Sequence, residues 1–181
     1  MKGFWIIKSK KGNVTTLWVA SLPIFALLFM FIGSLAVAWM SHSNSQMAGD
    51  AASLAATHKI DGWVNADLTL WLERYEGNYQ KAIGSNAQRR AFIQWSIQRH
   101  RNELIEVVKQ YTRKHGAKGK GLITSRSGRV VVRAGTPFQS MIARNYFSKQ
   151  DIQGDGAGPV RYYLKGLPND TIHIEYNRGN R

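Results

Sequence analysis

The sequence has 181 residues, no cysteine, and 25 Lys and Arg against 11 Asp and Glu, a formal net charge of +14. Disulfide scaffolds are excluded, and four prolines are too few for a proline-rich stalk. The residues outside the long apolar run described next are enough for one ordinary hydrophobic core.

No Lys, Arg, Asp or Glu occurs between Lys11 and Asp50, and Leu17 to Met40 within that gap is almost wholly apolar. About 20 apolar residues cross a hydrocarbon core of roughly 30 Å, so the run predicts a membrane-spanning helix over residues 14–40. Trp18 and Trp39 stand near its ends, where indoles favour the headgroup level and would act as membrane anchors. The preceding tail, residues 1–13, carries Lys2, Lys8, Lys10 and Lys11 without an acid, and the next basic residue is Lys59. The positive-inside rule therefore predicts a cytoplasmic tail and an exported block. Ala36-Val37-Ala38 fits a signal-peptidase site, but the run exceeds the usual h-region of about 7 to 15 residues and Trp39 would follow the cut. A bacterial inner membrane and periplasm suit a cysteine-free domain of this kind.

The exported block holds 21 basic and 11 acidic residues. A basic surface binds polyanions, and beyond a membrane these are lipid headgroups, lipopolysaccharide, cell-wall polymers or acidic partner proteins rather than nucleic acid. Ser41 to Gly49 is small and polar and predicts a connector. From Asp50, Leu54, Ile60, Trp63, Val64, Leu68, Trp71, Leu72 and Tyr75 recur at three- and four-residue steps, the mark of one buried helical face, with Gly62 a place for a kink or break. Glu76-Gly77-Asn78 and Gly84-Ser85-Asn86 punctuate it, which sets residues 41–85 as a juxtamembrane helical region and 86–181 as the main domain.

A second helix is expected from about Asn86 to Lys114, with Ile93, Ile97, Leu104, Val108 and Tyr111 on one stripe. It should stop where Arg113, Lys114 and His115 meet Gly116. Gly116 to Gly121 then reads as a loop, without the G-x-x-x-x-G-K-[ST] order of a phosphate cradle. Leu122 to Thr124, the turn Ser125 to Gly128, and Arg129 to Arg133 form a predicted hairpin of β-branched strands. Thr136 to Ser148 suggests a short helix with Met141, Ile142, Tyr146 and Phe147 as anchors, and Gly154 to Pro159 a loop. Val160 to Leu164 and Thr171 to Tyr176, around Pro168-Asn169-Asp170, suggest a second hairpin. The expected fold class is α+β: one transmembrane helix, two long helices, and an antiparallel sheet of about four strands.

Gly121 to Val132, Arg144-Asn145-Tyr146-Phe147 and Gly154 carry a resemblance to extracytoplasmic PAS-like sensor domains of the Cache type. The first segment is similar to that family's strand, turn and returning strand, the second to its R-x-[YF]-F element; residues 86–176 are covered. NTF2-like folds share the same broad plan. The resemblance implies that Arg144 forks a carboxylate ligand, that Tyr146 supplies a wall and a hydroxyl, and that Asp155 and Asp170 are the acids available to a ligand amine. Lys149, Gln150 and Asp151 depart from it, standing where the family places an apolar turn. It also implies a second span leading to a signalling domain. The sequence to Arg181 offers neither, so a partner or further sequence would carry any signal. The plan of a basic tail, one span and an exported α+β domain also resembles the VirB8-type assembly factors of conjugation and type IV secretion.

Catalytic signals are few. His42, His58, His100, His115 and His173 form no H-x-x-x-H or H-x-H pair, so neither a metal nor another cofactor is expected. Asp151 and Asp155 lack the alternating ligands of a calcium loop, and no Ser sits in a G-x-S-x-G elbow. Glu103 and Glu106 share a helical face with Arg99, Arg101 and Lys109 nearby, which reads as ion pairing. Trp63, Trp71 and Tyr75 read as core, with cation–π contacts open to them. A non-catalytic binding domain is the expectation, with envelope proteins, self-association or a small carboxylate as partners.

Overall fold

A computed structural model describes residues 14–138 and 150–176. The chain is α+β, with a long apolar N-terminal helix, further helices and one four-stranded antiparallel sheet. Helix α1 runs without interruption over Val14–Glu73, 60 residues, with Pro23 inside it. The apolar part, from Leu17, is long and apolar enough to cross a membrane, and its large side chains are exposed rather than packed. Proline is tolerated in such helices.

The expected connector at Ser41 to Gly49 is helix instead. Its small residues are what let the helix enter the core: Ser41, Ser45, Ala48, Ala52, Ser53, Ala56 and Thr57 are buried in a row and lead into Ile60, Val64 and Trp71. Leu54, expected on that face, is 55% exposed and points away from it. Gly62 neither kinks nor breaks α1, because it lies on the exposed side where nothing approaches within 4 Å. One hydrophobic cluster joins Ala52 to Trp71 with residues of every later helix and of the sheet, so residues 41–73 share the core of the main domain.

Glu76 and Gly77 take positive φ and end α1, and the short α2, Tyr79–Ile83, follows with an Asn78 cap. The expected second helix is two, α3 (Asn86–Arg99) and α4 (Arg101–Lys114). Ser85 and Gln88 form the capping box that starts α3. His100, at φ −105° and ψ 15°, leaves the helical region between them. Gly116, at φ 75°, ends α4 with the Ala117 amide donating to the Thr112 carbonyl at 3.0 Å.

Strands β1 (Lys118–Arg126) and β2 (Arg129–Pro137) form the predicted hairpin, longer than expected because β1 takes in much of the Gly116–Gly121 loop. Ser127 and Gly128 both have positive φ, the pattern of a type I′ turn. The segment Gly154 to Ala157, read as loop, lies in β3 (Asp151–Ala157), and Val160 to Leu164, read as strand, is a turn. Its Arg161 amide donates to the Gly128 carbonyl and Leu164 is buried, so it folds under the first hairpin instead of pairing with a neighbour. Strand β4 (His173–Tyr176) therefore pairs with β1, and the order is β3-β2-β1-β4. The predicted helix over Thr136 to Ser148 falls mostly on residues 139–149, outside those described.

Strand register places Ile123, Val132, Gly156 and Ile174 in one inward row. Helices α1 and α4 cover that face, α4 through Leu104 and Val108. The period of two then puts Leu122, Arg133, Asp155 and Glu175 in a row on the opposite face.

Candidate functional site

That outward face gathers the charges of the sheet. Arg133 forks Asp155 across β2 and β3, Nε to Oδ1 at 2.6 Å and the second nitrogen to Oδ2 at 2.9 Å. The hydrogen-bonded guanidinium holds the Asp155 carboxyl below its ordinary value, and the carboxylate in turn raises Arg133. At the start of β3, Asp151 receives the ammonium groups of Lys118 at 2.5 Å and Lys120 at 2.9 Å. An irregularity in β1 between Lys118 and Gly121 brings both lysines to one carboxylate. Burial pushes the Asp151 carboxyl up, but the two ammonium groups outweigh it and hold it below the usual range.

Gly121 is required beside them: a Cβ there would lie 2.0 Å from the Arg133 carbonyl and 2.6 Å from the Tyr176 hydroxyl. That hydroxyl donates to the Arg133 carbonyl at 2.9 Å, and burial pushes its pKa up. Between these groups lies an open depression of about 390 Å³, lined by Lys120, Leu122, Arg133, Gln153, Glu175 and Tyr176 among others. Paired cations and anions with apolar Leu122 between them suit a polar ligand or a protein surface, and the described residues place no nucleophile beside a base there.

Of the ligand-site residues expected from sequence, only Asp155 and Asp170 fall among the described residues. Arg144 and Tyr146 lie outside the described residues. Asp155 faces outward on β3 with its carboxylate engaged by Arg133, so it is a strand residue and not part of a solvated loop. Asp170 sits in the turn before β4 at φ 62°, accepting from the Thr124 hydroxyl while its amide donates to the Ser125 carbonyl at 2.8 Å. The two acids thus belong to elements at opposite edges of the sheet. Trp18 and Trp39 project from α1 at 66% and 76% exposure, as lipid-facing anchors would. Glu106 pairs with Lys109 as expected, whereas Glu103 reaches across to Lys59 on α1 at 2.8 Å. Trp71 is core, and Arg74 lies over both Trp71 and Trp95.

Two polar clusters were not foreseen. Asp67, 3% exposed, accepts from the buried Ser96 hydroxyl at 2.7 Å, and His100 Nε2 lies 3.2 Å from the same oxygen. Trp63 stacks on the His100 ring at 4.7 Å and 6°. These are the residue types of a hydrolase triad in the wrong order, because the carboxylate and not the imidazole receives the serine proton. The cluster fastens the α3–α4 junction to α1. In the second, Arg161 forks Asp61 and the Tyr163 hydroxyl donates to the same carboxylate at 2.7 Å, which ties the turn after β3 to α1. An Asp on the inner side of a helix was the available signal for the first, and Arg and Tyr flanking Tyr162 for the second.

No family model matches this sequence, no curated protein matches it, and no solved structure matches its fold.

Proposed function

We propose that this is a single-pass inner-membrane protein, its N-terminus in the cytoplasm, that presents a non-catalytic head in the periplasm to bind a ligand or a protein partner. The observation that carries this reading is the continuity of α1: the apolar, exposed segment from Leu17 to Met40 and the buried segment from Ser41 to Trp71 are one helix. A head whose central core helix is also the anchor is held in fixed register with the bilayer. Such an arrangement suits presentation of a surface. The sensor-like, PAS or Cache reading draws support from the Gly121 to Val132 hairpin, and under it Arg144 and Tyr146 bind a small carboxylate.

The scaffold reading, a subunit of a conjugation, type IV secretion or other envelope complex, is favoured by the outward sheet face, where charged groups and the half-buried Leu122 line an open depression across paired strands. Crosslinking of the full chain in cells separates the two. Recovery with a defined envelope protein, lost on Glu175→Lys, supports the scaffold. A carboxylate-induced thermal shift lost on Arg144→Ala supports the sensor. Monomer or homodimer only, with no ligand-induced shift, overturns both.

A further inference from the structure

With α1 taken as the membrane span, one end of the head, which carries several basic residues, stands next to the headgroups. Ser45 marks that end, since its hydroxyl donates to the Ile152 carbonyl at 2.7 Å and accepts from the Thr136 amide at 3.0 Å. It is five residues beyond Met40, about 7.5 Å along the helix axis. The headgroup layer is itself roughly 5 to 8 Å deep on each side. The ends of β2 and β3 therefore reach that layer. Helix α4 runs back along α1, as the Lys59–Glu103 pair and the grouping of Ala51 with His115 show, so its last turn comes back toward that end, to the level of Ala51, about 16 Å along the axis from Met40, and the Arg113 side chain reaches on to Gly119 of β1. Strand β1 also begins there, its Lys118 and Lys120 meeting Asp151.

The described charges at this rim are Arg113, Lys114, Lys118 and Lys120 against Asp50 and Asp151, with Glu175 lining the same outward depression as Lys120. Arg113 and Lys114 are exposed, and Lys120 keeps half its side-chain surface open while paired. The span adds a mechanical reason for contact. Leu17 to Met40 would measure about 36 Å as a helix, against a hydrocarbon core of roughly 30 Å, and tilt is the ordinary way to absorb the excess. A tilted α1 lowers one flank of the head onto the bilayer.

We infer that Arg113, Lys114, Lys118 and Lys120 form a seat for anionic lipid headgroups, which fixes the tilt of α1 and the direction in which the outward sheet face is presented. The inference rests on α1 crossing the membrane. A basic residue close to an anionic surface contributes about fivefold in affinity, and the attraction falls away beyond a Debye length of about 8 Å at physiological salt. Arg126, Arg129 and Lys165 are basic too, but they belong to the far end of the sheet. Asp61, which holds Arg161 there, is about 30 Å along the axis from Met40.

The native chain has no cysteine, so single cysteines report cleanly. The full chain is placed in nanodiscs of phosphatidylcholine, alone or with roughly one third phosphatidylglycerol. A fluorophore at Gln153→Cys reports the rim and one at Tyr162→Cys the far end, each against a headgroup-labelled quencher lipid. The seat predicts that quenching at Gln153→Cys rises at least about fivefold with the anionic lipid and falls back in high salt. Arg113→Glu with Lys114→Glu should abolish the rise, while Tyr162→Cys stays unquenched throughout. Should the reversed charges unfold the α4 terminus by circular dichroism, Arg113→Gln with Lys114→Gln serves, with a reduced rise expected. Equal quenching in both lipids by an inserted chain overturns the seat and leaves the span intact. A chain that alkaline carbonate strips from the membrane overturns the span, and the seat with it.

Discussion

Gly49 and Gly156 are in backbone contact: a Cβ on Gly49 would lie 2.6 Å from the Gly156 nitrogen, and one on Gly156 only 1.9 Å from the Gly49 carbonyl carbon. Helix α1 and edge strand β3 thus touch without side chains between them, and Gly154 repeats the contact two residues earlier, where a Cβ would meet the Gln46 nitrogen at 2.6 Å. Close packing of this kind has no room to relax, because backbone faces backbone. Gly156→Ala should destabilise the head by about 3 kcal/mol, against the gain of up to about 1 kcal/mol that Gly→Ala brings where space allows. Gly62→Ala is the control of opposite sign. It lies on the open side of the same helix and should stabilise by about 1 kcal/mol. Urea unfolding of both variants in one detergent reads the two signs directly.

Ser45 is a buried polar tie between the same elements. Its hydroxyl serves three groups, the Ser41 and Ile152 carbonyls and the Thr136 amide, and its exposure is 0%. Ser45→Ala leaves the Thr136 amide without this acceptor at a buried position. A loss of about 1 to 3 kcal/mol is expected. Hydrogen exchange should show faster exchange at Thr136 and little change at Ile123, which lies deep in the sheet.

Much of the fold was legible because large apolar residues announce their faces. Ile60, Val64 and Trp71 on α1, Ile93 and Ile97 on α3, and Leu104 and Val108 on α4 are core as their spacing predicts. Where α1 meets β3 the contact is made by Ser, Ala and Gly, which hydropathy does not mark, so Ser41 to Gly49 read as connector and Gly154 to Ala157 as loop. Glycine is what a loop contains, and also what a backbone contact needs. Val160 to Leu164 alternates like a strand, but its conformation is set by Arg161 reaching Asp61, 100 residues away. The candidate site was less legible still. Asp155 and Arg133 stand 22 residues apart, and only the β2–β3 register makes them neighbours.

The cluster at Asp67 joins α1 to the α3–α4 junction, and a fastening and a catalytic group predict different results there. Asp67→Ala removes the acceptor of the buried Ser96 hydroxyl and the partner of His100, and should cost about 1 to 3 kcal/mol. Ser96→Ala alone should cost less, because the carboxylate keeps His100. In the double variant the cost should fall short of the sum by about 1 kcal/mol, the coupling expected of residues in direct hydrogen bond. Full additivity would mean that the Ser96–Asp67 bond contributes nothing. Loss of a measured hydrolytic activity in Ser96→Ala with unchanged stability would point to catalysis instead.

Acid should release the Asp151 tie before it releases the core. The folded carboxyl is held below its unfolded value of 3.8, so the native state binds the proton less readily than the unfolded chain. A group depressed in this way contributes stability that is complete above the unfolded value and is lost as pH falls through the folded one. The relevant window therefore lies below about pH 4, not near neutrality. Asp151→Asn removes the charge at every pH and leaves Lys118 and Lys120 facing an amide. At pH 7 it should be less stable than the native chain by on the order of 1 kcal/mol, the two lysines being part exposed and partly screened. Lowering the pH should then destabilise the native chain more than the variant, and the two denaturation midpoints should converge toward pH 2. Asp155 titrates in the same direction, but it is present in both chains, so its contribution cancels in the difference. Midpoints that stay a constant distance apart from pH 7 to pH 2 would show that Asp151 owes its effect to packing and not to its charge.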